Sequence, residues 1–339
     1  MSGSRHASPL RGMMQSPFPN VSSATIRRPH TGAMLDLRTA AAARSEPLAI
    51  PRLSPMVVGG LAIAGLAWLL VVLLAEPYGR AWGTGQDARC YWLPSLAAPY
   101  LHANWTDPIA YVYSPAFLQL ISPLTSLPWQ VFVAVWTAIL IGAIGWLTGP
   151  RLLVFGVLLA GMELVGGNIS LLLAVAIVLG FRWPAAWAFV LLTKVTPGIG
   201  LLWFAVRGEW RSLGIALGAT LGVIVVSAFF MPAAWGEWFG VLVSVAGRDG
   251  TWAAVPIPFW FRLPIAVALI VWGARTNRRW VVPVASMLAL PALWYGGLSM
   301  LLGVLPLLEG RWRNQSGVES AELAPRASRA RAEASPAGA

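Results

Sequence analysis

Apolar residues in this chain come in long unbroken blocks, not in alternation. Between Met56 and Leu308 the blocks are on the order of 15 to 22 residues long, close to the ~20 that span ~30 Å of hydrocarbon as a helix. Ten segments emerge from this pattern, near 56–75, 112–127, 129–147, 152–166, 168–181, 185–206, 212–231, 259–274, 280–292 and 293–308. Several are short, and Pro291 alone divides the last pair, so some are broken or re-entrant. No run of ten-residue alternating strands appears, which disfavours a membrane barrel. The predicted fold class is an all-α polytopic membrane protein of about ten transmembrane helices.

The flanks differ from the centre. Residues 1–52 and 309–339 are rich in Arg, Ser, Pro and Ala without sustained apolar periodicity. Both are expected to be disordered tails around a membrane domain at 53–308. No apolar run comes soon enough after the first residues to suggest a cleaved signal peptide. Arginine placement sets the expected orientation. With the N-terminal side inside, Arg52, Arg207, Arg211, Arg275, Arg278, Arg279, Arg311 and Arg313 fall on inner flanks. Arg80, Arg89, Arg151, Arg182 and Arg248 fall outside, with Arg262 near an outer entry. Both termini are then cytoplasmic in a cell-membrane protein. Two long outer loops result, from Glu76 to about Tyr111 and from Pro232 to Pro258.

Composition agrees with the pattern. The 339 residues are 57% hydrophobic and 11% charged, against about 25% charged in soluble domains. The net charge of +11 invites a nucleic-acid reading, but no basic face or nucleic-acid motif accompanies it. One cysteine, Cys90, excludes an internal disulfide and a multi-cysteine metal site. His6, His30 and His102 are too scattered for a zinc motif.

Candidate chemistry concentrates in the first outer loop. Asp87 comes after a Gly-rich turn, "GTGQD", and opens a short amphipathic stretch. Two roles stand open for it: a cap at a helix start, or a general base that takes the proton of an attacking sugar hydroxyl. Tyr91, Trp92, Tyr111 and Tyr113 lie alongside, as an interfacial belt or as substrate contacts. The "NWT" at Asn104 matches a glycosylation sequon by chance.

Lys194 is the single lysine among 24 Lys and Arg residues, and it lies within an apolar block. A lysine at the bilayer centre costs about 2.5–3.5 kcal/mol on insertion scales. Pro197 removes a backbone donor and clashes with the carbonyl of residue 193, which opens the helix beside it. Lys194 either pairs with Glu163 or a freed carbonyl, or faces a polar cavity. Asn168, after "GG", reads as an N-cap; the orientation places it nearer the inside.

Three blocks carry a family resemblance. "GQDARCYW" with "YVYSPAFLQLISPLTSLPW", then "GGNISLLLAVAIVLG", then "LLTKVTPGIGLLWFAVRGEWRSLGIALGA" occur in order between Gly85 and Ala219. Together they resemble glycosyltransferase family 87. The resemblance implies a GT-C membrane fold and a mannosyltransferase-like enzyme using a polyprenyl-phosphate-sugar on the extracytoplasmic face. It implies inversion at the anomeric carbon, with Asp87 as the base. Lys194, Arg262 and Arg89 become candidates for the donor phosphate, and Tyr91, Tyr113, Asn168 and Tyr295 for weaker substrate contacts. The acceptor is a glycolipid or polysaccharide of the cell envelope; no cofactor, metal or nucleic acid is expected. The family's late His is replaced here by Tyr295 and the Gly296–Gly297 pair. A transporter or lipid-linked-sugar flippase is the alternative, since intramembrane charges and broken helices also mark transporters.

Overall fold

The computed structural model describes residues 53–103, 107, 109–245 and 255–308. The two tails, Asn104, Arg248 and Asp249 lie outside the described residues, and with them the expectations for those positions.

The described residues are helical, with one isolated bridge between Ser95 and Ala98. Helix α1 (Pro55–Leu74) starts with Pro55 at its first position and with the Ser54 side chain accepting from Val57 N–H, a favoured start. Helix α4 (Trp129–Thr148) packs antiparallel to α1. Trp68 Nε1 donates to Ala134 O at 2.8 Å and Trp129 Nε1 to Ala75 O at 2.9 Å. These contacts define two ends of the molecule, one at Ala75 and Trp129, the other at Gly60 and Thr148.

Between α1 and α4 lie two short helices, α2 (Gln86–Trp92) and α3 (Pro115–Thr125). Both ends of α3 stay near the Ala75 end. Its start is held by Ser114 Oγ donating to Leu192 O, and the chain just after it by Trp92 Nε1 donating to Leu127 O at 2.9 Å. Segment 112–127 therefore does not cross, contrary to the sequence expectation. Its helix has 11 residues and carries Pro123, too short for ~30 Å at 1.5 Å per residue.

That one change reverses the direction of the next helices. Helices α5 (Leu153–Leu159) and α6 (Gly161–Gly166) rise from the Gly60 end, where Gly60 packs against Leu153. Helix α7 (Ser170–Gly180) descends again. Arg151 and Arg182 thus lie at the end opposite Asp87, which corrects their outer placement. The Phe181 ring, beside Arg182, meets Trp203 at 5.5 Å and lies under the Arg279 guanidinium at 5.4 Å. Arg207 donates to Ala274 O at that same end.

Segment 185–206 is not one helix. A 3-10 turn and α8 (Trp187–Thr193) rise to Lys194; a second 3-10 stretch (Thr196–Leu201) and α9 (Leu202–Val206) return. Segments 280–292 and 293–308 form a second hairpin. Helix α13 (Val281–Leu288) rises; the 3-10 stretch Tyr295–Gly303 and α14 (Val304–Leu308) return. Ser286 Oγ donates to Pro197 O at 3.0 Å and joins the two hairpins. Between them in sequence run α10 (Trp210–Phe230), α11 (Pro232–Val245) and α12 (Phe259–Arg275).

Among the described residues three helices, α1, α4 and α10, are long and apolar enough to cross a membrane, and ten continuous spans are not observed there. The physical reason is local: segment 185–206 breaks at Lys194, and the helices on either side of Gly166–Gly167 and of Pro291 are too short to cross. The outward faces of α1 and α10 are apolar and exposed, as at Leu73, Val226 and Phe229, which suits contact with lipid.

Candidate active site

The site is built where α2, the α6–α7 turn and the tips of the two hairpins converge. Gly85 precedes α2 in the left-handed region at φ 79° and donates to Val165 O at 2.7 Å. This sets α2 against the end of α6. The Gly166–Gly167 pair permits the approach. A Cβ at Gly166 would lie 2.9 Å from Asp87 Oδ2, and one at Gly167 would lie 2.9 Å from Ala88 Cβ. Asp87 makes no cap: the N-cap of α2 is Gly85, which lends no side-chain hydrogen bond.

The turn after Gly167 presents Asn168. Its Oδ1 accepts from Ile169 N–H at 2.7 Å and from Lys194 Nζ at 3.0 Å. The Asn168 amide also stands beside the Asp87 carboxylate on the wall of the same cavities and favours its ionised form. Asn168 therefore stands beside both acid and base, at the Asp87 end. This corrects the expectation that it lies nearer the opposite side.

Lys194 reaches this point because α8 stops. Pro197 cannot supply the N–H or the space that another turn needs. Lys194 leaves the helix in extended backbone, φ −131° and ψ 107°, and its side chain enters the cavity. Glu163, 1% exposed, lies beneath it on α6. Glu163 Oε1 accepts from Leu171 N–H at 3.1 Å, tying the start of α7 to α6. Both Glu163 and Asp87 act on the ammonium by charge.

Two adjoining cavities share Asp87, Asn168 and Lys194. One, of about 350 Å³, runs between α6 and the second hairpin and adds Glu163, Tyr295 and Gly296. The other, of about 400 Å³, runs towards α11 and adds Tyr113, Thr193, Trp238 and Leu242. Volumes of this order suit a sugar or a drug-sized ligand.

Asp87 touches cavity space, yet protein encloses it. Burial pushes its pKa above the ordinary carboxylate value, against the lowering effects of the Asn168 amide and then of the Lys194 and Arg89 charges. Burial and the Asp87 charge push the Cys90 thiol up to about 12, which keeps it protonated.

The other candidates fall differently. Tyr113 lines the second cavity, and its hydroxyl lies 3.2 Å from that of Tyr91, which is fully buried behind it. Tyr295 is 56% exposed on the rim of the first. Arg89 is buried and turned into its own loop, bonding the carbonyls of Gly79 and Arg80 and Gln86 Oε1. Arg262 is also buried and bonds four carbonyls, those of Ile257, Leu288, Leu290 and Pro291, at 2.7–2.9 Å. Neither guanidinium lines either cavity, because backbone oxygens take the donors a phosphate needs. Their expected phosphate role gives way to holding loops.

Sequence reasoning missed Trp82, Gln86 and Trp294, all of which line both cavities. No periodicity marks them; only their place in Gly- and Pro-rich connections hints at function.

Comparisons with known proteins complete the picture. Neither the curated proteins nor the solved structures gave a match to the chain. The sequence profile of glycosyltransferase family 87 matches residues 111–315, a stretch that contains Tyr113, Asn168, Lys194 and both hairpins. That match favours transfer chemistry over the transport alternative. This chain belongs to glycosyltransferase family 87, and the enzyme is a membrane glycosyltransferase.

Proposed function

We propose that the enzyme moves a sugar, mannose in our reading, from a polyprenyl-phosphate donor to a lipid or glycan acceptor on the extracytoplasmic face. The carrying observation is that Asp87, Asn168 and Lys194 line one cavity wall together, with Lys194 hydrogen-bonded to Asn168. Such a wall offers a base and a fixed cation to opposite ends of one displacement.

In this reading Asp87 accepts the proton of the acceptor hydroxyl as its oxygen attacks the anomeric carbon. The bond from that carbon to the phosphate oxygen breaks on the opposite side, so configuration inverts. The leaving phosphate changes from a diester to a monoester and gains negative charge, which the Lys194 ammonium stabilises in a site of low dielectric. Asn168 keeps the two groups in register and lowers the cost of ionising Asp87.

The orientation is argued from charge. Arg151, Arg182, Arg207, Arg275, Arg278 and Arg279 belong to the end opposite Asp87. Positively charged flanks face the cytoplasm, so the Asp87 end faces out. A GT-C-like arrangement is part of the same proposal.

The test is direct. Purified enzyme in lipid nanodiscs is given polyprenyl-phosphate-mannose and candidate lipid acceptors. Transfer with inversion, lost in Asp87→Asn, is the expected result. Transfer at the wild-type rate in that variant sinks the assignment of the base.

A further inference from the structure

Trp82 stands out among the described residues because its backbone is at φ 63°. Two described non-glycine residues have positive φ, and the other is Asn277, a type that tolerates this region. For an indole-bearing residue it is an outlier. Such conformations persist where the surroundings over-determine them, and they cluster at functional sites.

The surroundings do over-determine this one. Trp82 N–H donates to Gln86 Oε1 at 3.0 Å. The same oxygen accepts from Arg89 Nη2 at 2.7 Å, and Arg89 also grips the carbonyls of Gly79 and Arg80. The buried guanidinium thus fixes the loop from both sides of Trp82, and Gln86 adjoins Asp87 in the chain. What this network presents is the indole, 68% exposed. Its ring lies 5.0 Å from that of Trp294, tilted by 38°. Both line the two cavities that share Asp87.

We propose that Trp82 and Trp294 form a stacking platform for a pyranose ring of a substrate. A pyranose has an apolar face of C–H bonds and a periphery of hydroxyls. Indole faces carry negative charge density and large apolar area, which complements the C–H face. The hydroxyls then meet the polar wall of Asp87, Asn168 and Lys194. A membrane-interface tryptophan needs no strained backbone and no place on the cavity wall. The proposal rests on the glycosyltransferase reading for its choice of ligand, but not on turnover.

The experiment is saturation-transfer NMR on purified protein in nanodiscs, with n-butyl α-mannopyranoside as probe. Ring protons of the probe should receive saturation in the wild type. Trp82→Gly relieves the backbone, so its melting temperature should hold or rise, while ring-proton saturation at a fixed probe concentration should fall. Trp82→Phe keeps a ring face and should retain it. Trp294→Ala gives a second, independent loss. In titrations, the apparent Kd should rise roughly three- to tenfold per indole removed, the size of an aromatic contact. Saturation confined to the butyl protons in the wild type overturns the platform. So does ring saturation unchanged in both Trp82→Gly and Trp294→Ala. Absent transfer with ring saturation intact in the wild type would instead count against the transferase reading alone.

Discussion

Lys194 Nζ donates a 3.0 Å hydrogen bond to Asn168 Oδ1, although the two residues are 26 positions apart. A helix break in one hairpin thereby meets a Gly–Gly turn in another helix pair. Asp87 lines the same cavity and acts on the ammonium by charge. An isolated buried cation is costly; here it has a polar partner and two carboxylates nearby.

Removing the base tests the chemistry. Asp87→Asn should lower kcat by about 10²–10⁴-fold, the usual contribution of general-base catalysis. Donor affinity, read by titration with the lipid-linked sugar, should change little.

Removing the cation tests the phosphate contact. Lys194→Met forfeits a charged hydrogen bond, worth about 1.5–3 kcal/mol, so donor affinity should fall roughly 10- to 150-fold by the usual conversion. The variant should remain folded by thermal unfolding; collapse of the fold instead would make Lys194 a structural pairing residue.

Acidity gives a third test. Burial raises the pKa of Asp87, and a base works only when ionised. Activity should therefore rise with pH along a limb above the ordinary carboxylate value of about 3.9. The Asn168 amide lowers that pKa. Asn168→Ala should move the limb to higher pH, and a pH–rate profile of kcat/KM reads the shift.

The Gly166 contact predicts a steric effect on the base itself. A Cβ there would lie 2.9 Å from Asp87 Oδ2. Gly166→Ala should cut kcat about 10²-fold, since small misplacements of reacting groups are expensive. Its melting temperature should stay near wild type, because the carboxylate is free to swing into the cavity.

Arg262 should matter to stability. It satisfies four carbonyls between the chain before α12 and the tip of the second hairpin. Arg262→Ala leaves those oxygens unpaired, at a cost of about 2–4 kcal/mol for one buried charged donor group, readable as a fall in melting temperature. Arg262→Lys should recover only part of it, since an ammonium lacks the planar fork.

The sequence carried much of this, and particular residues show how far. Hydropathy singled out 53–308 as the apolar part of the chain because lipid demands long apolar runs. Lys194 stood out because charge in such a run is expensive, and Pro197 marked where the helix would open. Asp87 was visible because a Gly-rich turn led into it. The ordered blocks from Gly85 to Ala219 pointed to the family. Segment 112–127 misled, because its apolar run looks the same whether it spans the bilayer or packs at one end. Arg151 and Arg182 went astray with it. Two deviations cancelled: a segment that does not cross, and a block at 185–206 that turns back at Lys194. The expected direction of the later helices was thus unaffected.

The sequence by itself determined which residues are costly to bury and which helices break, since both are local properties of side chains and backbone. Only the tertiary structure decided what those costly groups meet. Asn168 came to stand beside both Asp87 and Lys194, Arg89 and Arg262 turned to backbone carbonyls, and Trp82 and Trp294 came together over the cavity. The physical reason is that contacts across tens to hundreds of positions depend on where each helix stops. A glycine, a proline or a lysine at one break moves every partner downstream of it.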